Sequence, residues 1–392
     1  MNWLDSPVWL CSLVRKVRRP VIGIMARPRV SEGVLIGKQG PVLMKYLVTA
    51  KRLHTLACVF DPHEVDVSRQ RLTGYVLDAS AHRDNPQVQK VDLPIPMVIY
   101  DQLLSRRYEN AKDVSKVRAF LKTRAHVFND GYFDKWEVYQ WLSVHPQFRP
   151  VLPKTELLTS AAPLRRLLHE YPTVFVKPIH GSLGLGIVKI TRVEGGYEAV
   201  LRTKEGNSDE GVFASAQDVY NHFRKRWQAS RHIAQQGLNL YAVGGRPVDV
   251  RVIMQKNGEG QWQSTKIFVR MAGSGEFISN LTTGGEAMPL SQLGKSDKNI
   301  KIARIKRDIR QLVSEVPVAI EQGAARTLGE MGIDIGLCES GRPQIIEVNS
   351  KPWKTPETVN GSTELVELSF ERPIRFALHL AHGTDVKGGA KS

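Results

Sequence analysis

Several features that narrow the function of a protein are scarce or missing in this chain of 392 residues. No apolar run is long enough to span a bilayer. The basic cluster at residues 15–19 follows the apolar residues of the N-terminus, whereas a secretory signal peptide carries its positive charge first. The three cysteines, Cys11, Cys58 and Cys338, share no metal-binding or redox spacing. These absences predict a cytoplasmic protein whose cysteines are structural, in a reducing compartment.

Positive charge is in excess, with 55 Lys and Arg against 39 Asp and Glu, a formal net charge of +16. Such a charge predicts anionic partners, among them nucleotides, acidic polymers and nucleic acids. Much of it lies on one segment with an apolar stripe at helical spacing: Lys295, Lys298, Lys301, Arg304, Lys306, Arg307 and Arg310. The segment is either the wet face of a packed helix or a nucleic-acid site. It lacks interleaved aromatic residues for base stacking, so nucleic acid is the less favoured partner.

The apolar pattern predicts an α/β (α+β) fold of two or three domains. A strand at 20–25, a helix at 41–56 and a strand at 57–60 form a β-α-β unit. We therefore predict a small N-terminal α/β domain over residues 20–125, with a mostly parallel sheet. Residues 1–19 precede it as a basic extension.

A lysine and a glycine-rich loop follow one another in the middle of the chain. Residues 173–178 read as a strand that carries Lys177, and residues 180–186 contain three glycines before the next strand. A P-loop must be followed by a helix, so this loop is instead a flap between two strands. Its amides can approach phosphate oxygens because glycine has no side chain. The alternatives are a snorkelling strand-end lysine and a tight hairpin turn.

Two carboxylates and an amide are predicted to converge near the C-terminal end. Residues 333–338 and 343–349 read as a hairpin with its turn at Ser340–Gly341, which places Asp334 close to Glu347. Strand alternation puts Asn349 on the face of Glu347. Oxygen ligands of this kind suit Mg²⁺. The alternative is that both carboxylates are solvated strand ends.

Further candidates lie on neighbouring segments. Asp249 and Arg251 share one face of a predicted strand, and Arg270 lies on the next strand. Both arginines are expected to face inward and to need an anion, although Arg270 can equally form a structural ion pair. We also expect Pro317 to separate the basic helix from a following helix at 317–331.

These residues together resemble the ATP-grasp superfamily, over roughly residues 130 to 355. The resemblance implies an ATP-grasp fold in which two α+β lobes clasp ATP. It implies three groups of site residues: for the nucleotide Lys135, Lys177, Gly181, Ser182, Gly184, Gly186, Gln236, Leu238 and Asn280, for catalysis Arg251 and Arg270, and for the metal Asp334, Glu347 and Asn349. Lys135 has the alternative of an exposed helix lysine, and Asn280 that of a turn cap. Gln236 and Leu238 are expected to act through their backbone.

A narrower resemblance is to the YheC/YheD family, which is named for its association with the endospore coat. It is carried by segments at 128–136, 152–155, 249–252 and 280–285. Gln102 departs from the family, where arginine is expected. The resemblance implies an ATP-grasp region over 126–382, comprising a nucleotide-binding lobe at about 150–240 and a metal and substrate lobe at about 241–360, followed by a flexible tail at 383–392.

The resemblance implies a Mg-ATP-dependent ligase that activates a carboxylate as an acyl phosphate for attack by an amine or thiol. Its cofactors are ATP and Mg²⁺, with Mn²⁺ as a substitute. Its partners are an unknown carboxylate and spore coat proteins, in the cytoplasm of a spore or mother cell or at the spore coat. Two alternatives stay open, a non-catalytic ATP-binding coat protein and a kinase that forms a phosphoester. No general base is identifiable.

Overall fold

The computed structural model describes residues 20–80, 85–181, 184–279, 284–296, 301–338, 341–358 and 361–388. Predictions that fall on residues 1–19, Ser182, Asn280 or residues 389–392 lie outside this described part. The described elements form three large sheets, each with helices packed against it. None of the described helices is long and apolar enough to cross a membrane.

The first sheet is built from the N-terminal third of the chain. Its elements are β1 (Val21–Met25), the hairpin β2 (Arg29–Ser31) and β3 (Val34–Ile36), α1 (Gly40–Arg52), β4 (Leu56–Phe60), β5 (Val65–Asp66), β6 (Arg71–Leu77), β7 (Val88–Pro94), β8 (Val98–Asp101), α2 (Arg106–Glu109), α3 (Lys112–Lys122) and β9 (His126–Phe128). The sheet order is β5-β6-β4-β1-β8-β9, with β7 beside β6. The hairpin β2–β3 is a separate small sheet.

The predicted parallel β-α-β unit is present in this first sheet. Strand β1 pairs in parallel with β4 and β8, and β8 pairs in parallel with β9. The prediction did not include the antiparallel extension of β5, β6 and β7 at the other edge. Strand β9 also lies beyond the predicted boundary at residue 125, so the domain limits stay predictions.

Helix α4 (Lys135–Ser143) precedes the second sheet in the chain. The strands of the second sheet and the helices between them are β10 (Thr155–Leu157), α5 (Ala161–Glu170), β11 (Thr173–Pro178), β12 (Val188–Val193), β13 (Gly196–Arg202), β14 (Asn207–Phe213), α6 (Ala216–Ala229) and β15 (His232–Gln236). Its order is β10-β15-β11-β12-β13-β14. Val174 and Val176 pack with Phe223 and Trp227 of α6 in one core. The alternate strand positions, among them Lys177, therefore face the opposite side.

The third sheet follows, with β16 (Ala242–Val243), β17 (Arg246–Lys256), β18 (Trp262–Met271), β19 (Glu286–Pro289), α7 (Leu290–Ser296), α8 (Ile302–Ala324), β20 (Glu330–Leu337), β21 (Pro343–Asn349) and α9 (Thr363–Gly388). Its order is β19-β18-β17-β20-β21. One face is apolar and packs on α8, whose Ile305, Ile309 and Val313 are buried. The basic side chains Arg304, Lys306, Arg307 and Arg310 are exposed, which confirms the wet face of a packed helix.

Two differences from the sequence-based expectations concern helices. The expected break at Pro317 is wrong, because α8 runs through it from Ile302 to Ala324. Pro317 is itself buried in the apolar face, and the packing of that long face on the sheet outweighs one lost hydrogen bond, although proline costs about 3 kcal/mol inside a helix. Helix α9 continues to Gly388, into the segment predicted as a flexible tail, and its Phe370 and Ile374 pack against the first sheet.

Candidate functional site

A cavity of about 390 Å³ opens between the second and third sheets. One wall comes from β11 and β15, the facing wall from β21, and one end from the start of α4. Five of the residues predicted for the site line it: Lys135, Lys177, Gly181, Glu347 and Asn349. The fold therefore gathers residues that are more than 200 positions apart in the chain, as Lys135 and Glu347 are.

Lys135 is the first residue of α4 and is held in place by the helix start. The Asp134 side chain caps the helix by accepting from the Trp136 amide at 2.7 Å. The Lys135 ammonium donates to Glu347 Oε1 at 3.0 Å and to the Gly181 carbonyl at 2.9 Å. Its side chain is 15% exposed, so the alternative of an exposed helix lysine is wrong. Lys135 joins the glycine-rich loop to the opposite wall.

Lys177 projects from β11 into the same cavity. Its ammonium donates to Gln235 Oε1 at 2.6 Å, and no carboxylate among the described residues forms an ion pair with it. Burial lowers the pKa of Lys177 to about 8; Glu347 opposes that shift and Lys135 adds to it. The ammonium does not snorkel into bulk water. A buried cation without a counterion is costly, and an anionic ligand removes that cost.

Gln235 begins the stretch 235–238 whose backbone groups are expected to form the adenine hinge, and its side chain, which is not among the predicted site residues, lines the cavity. Strand alternation puts it on the cleft face of β15, where its amide also donates to Thr155 Oγ1 at 2.9 Å. The selected neighbour, Gln236, pairs with Val174 and so lies on the other face. Its own amide N–H donates to the Lys154 carbonyl at 2.8 Å. Only the strand register, which fixes this parity, distinguishes the two glutamines.

Gln236 and Leu238 line a second cavity, of about 920 Å³. Tyr139 and Leu152 border both cavities, so the two adjoin each other. The segment that follows β15 thus lies at the far end of a continuous cleft from Glu347. This is the place that a hinge beside an adenine ring requires, and the role of Gln236 and Leu238 stays a prediction.

The carboxylates Asp334 and Glu347 stand directly opposite each other on β20 and β21, as the hairpin predicted. Ile346 is an additional residue between the Asp334–Glu347 and Ile335–Ile345 pairs, a β-bulge that re-aims the strand end. The Asn349 amide N–H lies 3.5 Å from Asp334 Oδ2. The solvated strand ends of the alternative interpretation are ruled out for Asp334, which is buried.

Asn129, with φ of 57°, holds the ends of these two strands together. Its side chain accepts from the Gly329 amide at 2.7 Å and donates to the carbonyls of Glu330 at 2.8 Å and Ser350 at 2.7 Å. Asparagine tolerates the left-handed conformation better than most residues, which permits this position. Asn129 therefore positions the hairpin that carries Asp334 and Glu347.

Arg251 and Arg270 form a closed charge network with two aspartates, beneath the cavity rather than on its wall. Arg251 binds Asp334 through two nitrogens, and Arg270 binds Asp249 through two contacts of 2.7 Å and Asp334 at 3.0 Å. Burial opposes ionisation of Asp334, but the two guanidinium groups hold its pKa below the ordinary value. The expected structural ion pair of Arg270 is present. Gly332 leaves room for this arrangement, because a Cβ there lies 3.2 Å from an Arg251 nitrogen.

Asp334, Glu347 and Asn349 are the residues predicted to bind Mg²⁺. Among the described residues no three His, Cys, Asp or Glu side chains gather around one point. The set is instead two carboxylates, Asp334 and Glu347, with the Asn349 amide, and Mg²⁺ in nucleotide sites takes one or two carboxylates together with phosphates. Glu347 and Asn349 line the cavity, so these residues fit the ion. Asp334 becomes fully available only if both Arg251 and Arg270 release contacts with its carboxylate.

The glycine-rich loop joins two antiparallel strands, β11 and β12, as expected of a flap. Gly184 has a φ of +75°, and a Cβ there lies 2.9 Å from Ile278 Cδ1. The Gly186 amide donates to the Arg202 carbonyl at 2.9 Å, so it is already occupied. Ser182 of the same loop and Asn280 lie outside the described residues.

Comparison with solved structures places the fold. The chain aligns with D-alanyl-alanine synthetase A from Vibrio cholerae O1 biovar eltor with a TM-score of 0.54, covering 94% of this chain and 99% of that one. At 12% identity this likeness concerns the fold alone. Three sheets, each with helices packed against it, and a cleft between the second and third define the class of the protein, which is the ATP-grasp fold.

Within that class, the chain belongs to the family described as YheC/D like ATP-grasp, whose profile matches residues 124–380. The endospore coat-associated protein YheD of Bacillus subtilis (strain 168) is 28% identical over 326 residues, 82% of this chain and 70% of YheD. YheC of the same organism is 22% identical over 331 residues, 84% of this chain and 89% of YheC. The resemblance inferred from the motifs is therefore confirmed.

Proposed function

We propose that this chain is an ATP-dependent ligase that activates a carboxylate as an acyl phosphate. One observation carries the proposal: Lys135, Lys177, Glu347 and Asn349 converge on one cavity between two sheets, with two arginines directly beneath it. Two lysines together with a carboxylate and an amide oxygen on the strand opposite Lys177 are what a nucleotide with a divalent cation needs.

In this proposal ATP lies along the continuous cleft. Its adenine occupies the end near Gln236 and Leu238, where apolar residues of both sheets are available. Its phosphates reach Lys177 and Lys135 at the other end. Lys177 lacks a carboxylate partner among the described residues, so a phosphate oxygen satisfies a charge that the protein leaves open.

Glu347, Asn349 and Asp334 would hold Mg²⁺, which offsets phosphate charge when bound. Arg251 and Arg270 would then stabilise negative charge that develops on the transferred phosphoryl group. Aspartates hold both guanidinium groups next to the cavity in the structure described here. Arg251 must shift from Asp334 towards the cavity for this role.

The chemistry proceeds in two steps. A substrate carboxylate oxygen bonds to the γ-phosphorus, and the bond to the bridging oxygen breaks with its electron pair staying on ADP. An amine or thiol then attacks the acyl carbon, and inorganic phosphate leaves with the carbon–oxygen bonding pair. The flap at 180–186 would exclude water, since an acyl phosphate is otherwise hydrolysed.

A second candidate is a non-catalytic ATP-binding protein. The observation that favours it is the bidentate Arg251–Asp334 pair, which keeps one predicted metal ligand neutralised. The names of YheC and YheD also support an association of this chain with the endospore coat, in either case.

The experiment is incubation with ATP, Mg²⁺, candidate acids and hydroxylamine. A ligase releases ADP in an acid-dependent way and yields a hydroxamate from the trapped acyl phosphate. A non-catalytic binder shows nucleotide affinity by calorimetry with no ADP above the background. AMP instead of ADP contradicts the acyl-phosphate route.

A further inference from the structure

The outer rim of the 390 Å³ cavity is formed by residues that none of the proposed ATP contacts uses. Arg106 comes from the short helix α2, which lies between strands β8 and β9 of the first sheet. Tyr132, His180 and Trp353 complete this rim, and Trp353 is 53% exposed. The rim thus joins the first sheet to the nucleotide cleft, with an aromatic surface open to solvent.

Arg106 makes only neutral contacts among the described residues. It donates to the Phe133 carbonyl at 2.7 Å and to His180 Nδ1 at 3.0 Å. Its guanidinium carbon lies 5.1 Å from the centre of the Tyr132 ring. No described carboxylate is within ion-pair distance of it. These contacts fix the planar guanidinium at the cavity wall but leave its charge uncompensated.

Lys351 is a second cation beside Tyr132, and it differs from Arg106 in its partners. Its ammonium also lies 5.1 Å from the Tyr132 ring centre. Unlike Arg106, it is fully buried and pairs with Asp101 at 2.7 Å and Glu109 at 3.3 Å. Both residues line the cavity, but Lys351 is neutralised by the protein, whereas Arg106 pairs with no described carboxylate.

The position of Arg106 limits what its anion can be. The reacting carboxylate of the proposed ligase has to lie near Glu347 and Lys135. Among the described residues Arg106 forms no hydrogen bond or ion pair with either of them; it donates instead to the Phe133 carbonyl and to His180 Nδ1. The anion at Arg106 is therefore a different group from the carboxylate that is phosphorylated.

We propose that Arg106 binds a second acidic group of the substrate, so that the substrate is a dicarboxylic acid or a peptide with an acidic side chain. This inference rests on the proposed ligase function. A guanidinium binds a carboxylate through two parallel hydrogen bonds, which gives geometric selectivity that a lysine lacks. The apolar part of the substrate packs on Trp353. His180 is a positioning residue, because its Nδ1 accepts from Arg106.

The γ-phosphate of ATP is another anion that could reach Arg106. The two sources are separated by measuring nucleotide and acid binding independently. If Arg106 binds the substrate, Arg106→Gln leaves the affinity for the ATP analogue AMP-PNP with Mg²⁺ unchanged within about twofold. If Arg106→Gln instead weakens AMP-PNP binding by about ten- to a hundredfold, the loss expected for Lys177→Ala, Arg106 binds the phosphate and the proposal is overturned.

The test compares acids matched in size in the presence of Mg-AMP-PNP. Glutarate is paired with its monoamide, glutaramate, and the dipeptide Ala-Glu with Ala-Gln, and binding is followed by calorimetry. We expect the diacid of each pair to bind at least about tenfold more tightly, as one charge-assisted contact implies. Equal binding of diacid and monoacid by the wild-type protein overturns the proposal.

Two variants of one helix make the test specific. Arg106→Gln should abolish the diacid preference, and Arg106→Lys should restore it only in part because the fork is lost. Arg107→Gln is the matched control, since Arg107 is exposed on the same helix and does not line the cavity. A diacid preference that survives Arg106→Gln, or that Arg107→Gln also removes, contradicts the role of Arg106.

Failure of the ligase proposal has a separate signature. It shows as an absence of ADP release with every acid, while the binding preference for diacids is measured without turnover. Failure of the present inference shows as a missing preference in a protein that still binds Mg-AMP-PNP.

Discussion

Two buried lysines lie in different regions of the molecule and have opposite surroundings. Lys354, between the first and third sheets, forms an ion pair with Glu330 and donates to the Tyr46 hydroxyl at 2.7 Å. Lys177, in the cleft between the second and third sheets, donates to the neutral Gln235 and forms no ion pair with a carboxylate among the described residues. Burial lowers the pKa of both ammonium groups, and Glu330 partly opposes the shift at Lys354.

The difference distinguishes a structural charge from one that awaits a ligand. Glu330 also accepts from Gln255 at 2.8 Å and from the Tyr100 hydroxyl, so the region around Lys354 is satisfied by the protein itself. At Lys177 no described carboxylate forms an ion pair, and we expect an anionic ligand to supply the missing partner.

The largest change in the free energy of unfolding is expected when the ion pair of Lys354 and Glu330 is broken. Lys354→Met leaves Glu330 charged and buried, which should lower the free energy of unfolding by about 3–5 kcal/mol. Denaturant titration of wild type and variant measures it. The double variant Lys354→Met/Glu330→Gln should recover part of the loss. A Lys354→Met protein as stable as wild type would remove the structural side of the comparison.

Glu347→Gln should reduce Mg²⁺-dependent ADP release by about 10²–10³-fold, because a charged ligand and the partner of Lys135 are lost together. The fold should persist, since Glu347 is only half-buried. Initial rates over a range of Mg²⁺ concentrations, with circular dichroism as the control for folding, provide the measurement. Unchanged turnover with an ordinary Mg²⁺ requirement excludes Glu347 from the site.

Lys177→Ala should weaken ATP binding by about 1.5–3 kcal/mol, roughly ten- to a hundredfold. Unlike Lys354→Met, it should not lower the free energy of unfolding, because an uncompensated buried charge is removed. Calorimetry and denaturant titration on the same samples test both halves. Equal ATP affinities, or a loss of stability like that of Lys354→Met, would erase the distinction between the two lysines.

The pKa of Lys177, about 8, sets a window in pH. Above this pH the free protein loses the proton that phosphate binding requires, so ATP affinity should fall by up to about tenfold per pH unit. The unfolded chain keeps the proton until near its ordinary value of 10.5, so this group's cost to stability declines as pH rises between the two values. Lys177→Met should abolish this pH dependence of ATP affinity; if the variant keeps it, another group is responsible.

Gly184→Val should have the smallest effect on stability, about 1 kcal/mol from its positive φ and the contact with Ile278. Turnover should nevertheless fall several-fold, because the new side chain lies in the loop that is proposed to cover the phosphates. Gly195→Val is the control, since its φ is +81° and nothing lies within 4 Å. Hydrogen exchange across 180–186 with and without Mg-ATP tests the flap, and unchanged protection reduces the loop to a hairpin turn.

Local patterns were enough to place several site residues. The hairpin of Asp334 and Glu347 follows from strand alternation and a tight turn, and its register is the expected one. Lys177 was likewise predicted from the glycine-rich loop that follows it. The side chain of Gln235 was not, because adjacent glutamines on a strand point to opposite faces and the sequence does not say which one faces the cleft. The arginine–aspartate network was only partly foreseen, since its pairs join residues up to 83 positions apart.

The sequence by itself determined the parallel β-α-β unit, the hairpin of Asp334 and Glu347 and the family, because these depend on short-range periodicity and on motifs. Only the tertiary structure decided which cations form an ion pair with a carboxylate and which do not. Lys135, Lys177, Lys351 and Arg106 are equivalent cations in the printed sequence. Whether each meets a carboxylate, a neutral acceptor or an empty cavity depends on how three sheets meet, and electrostatic energy depends on that distance and burial.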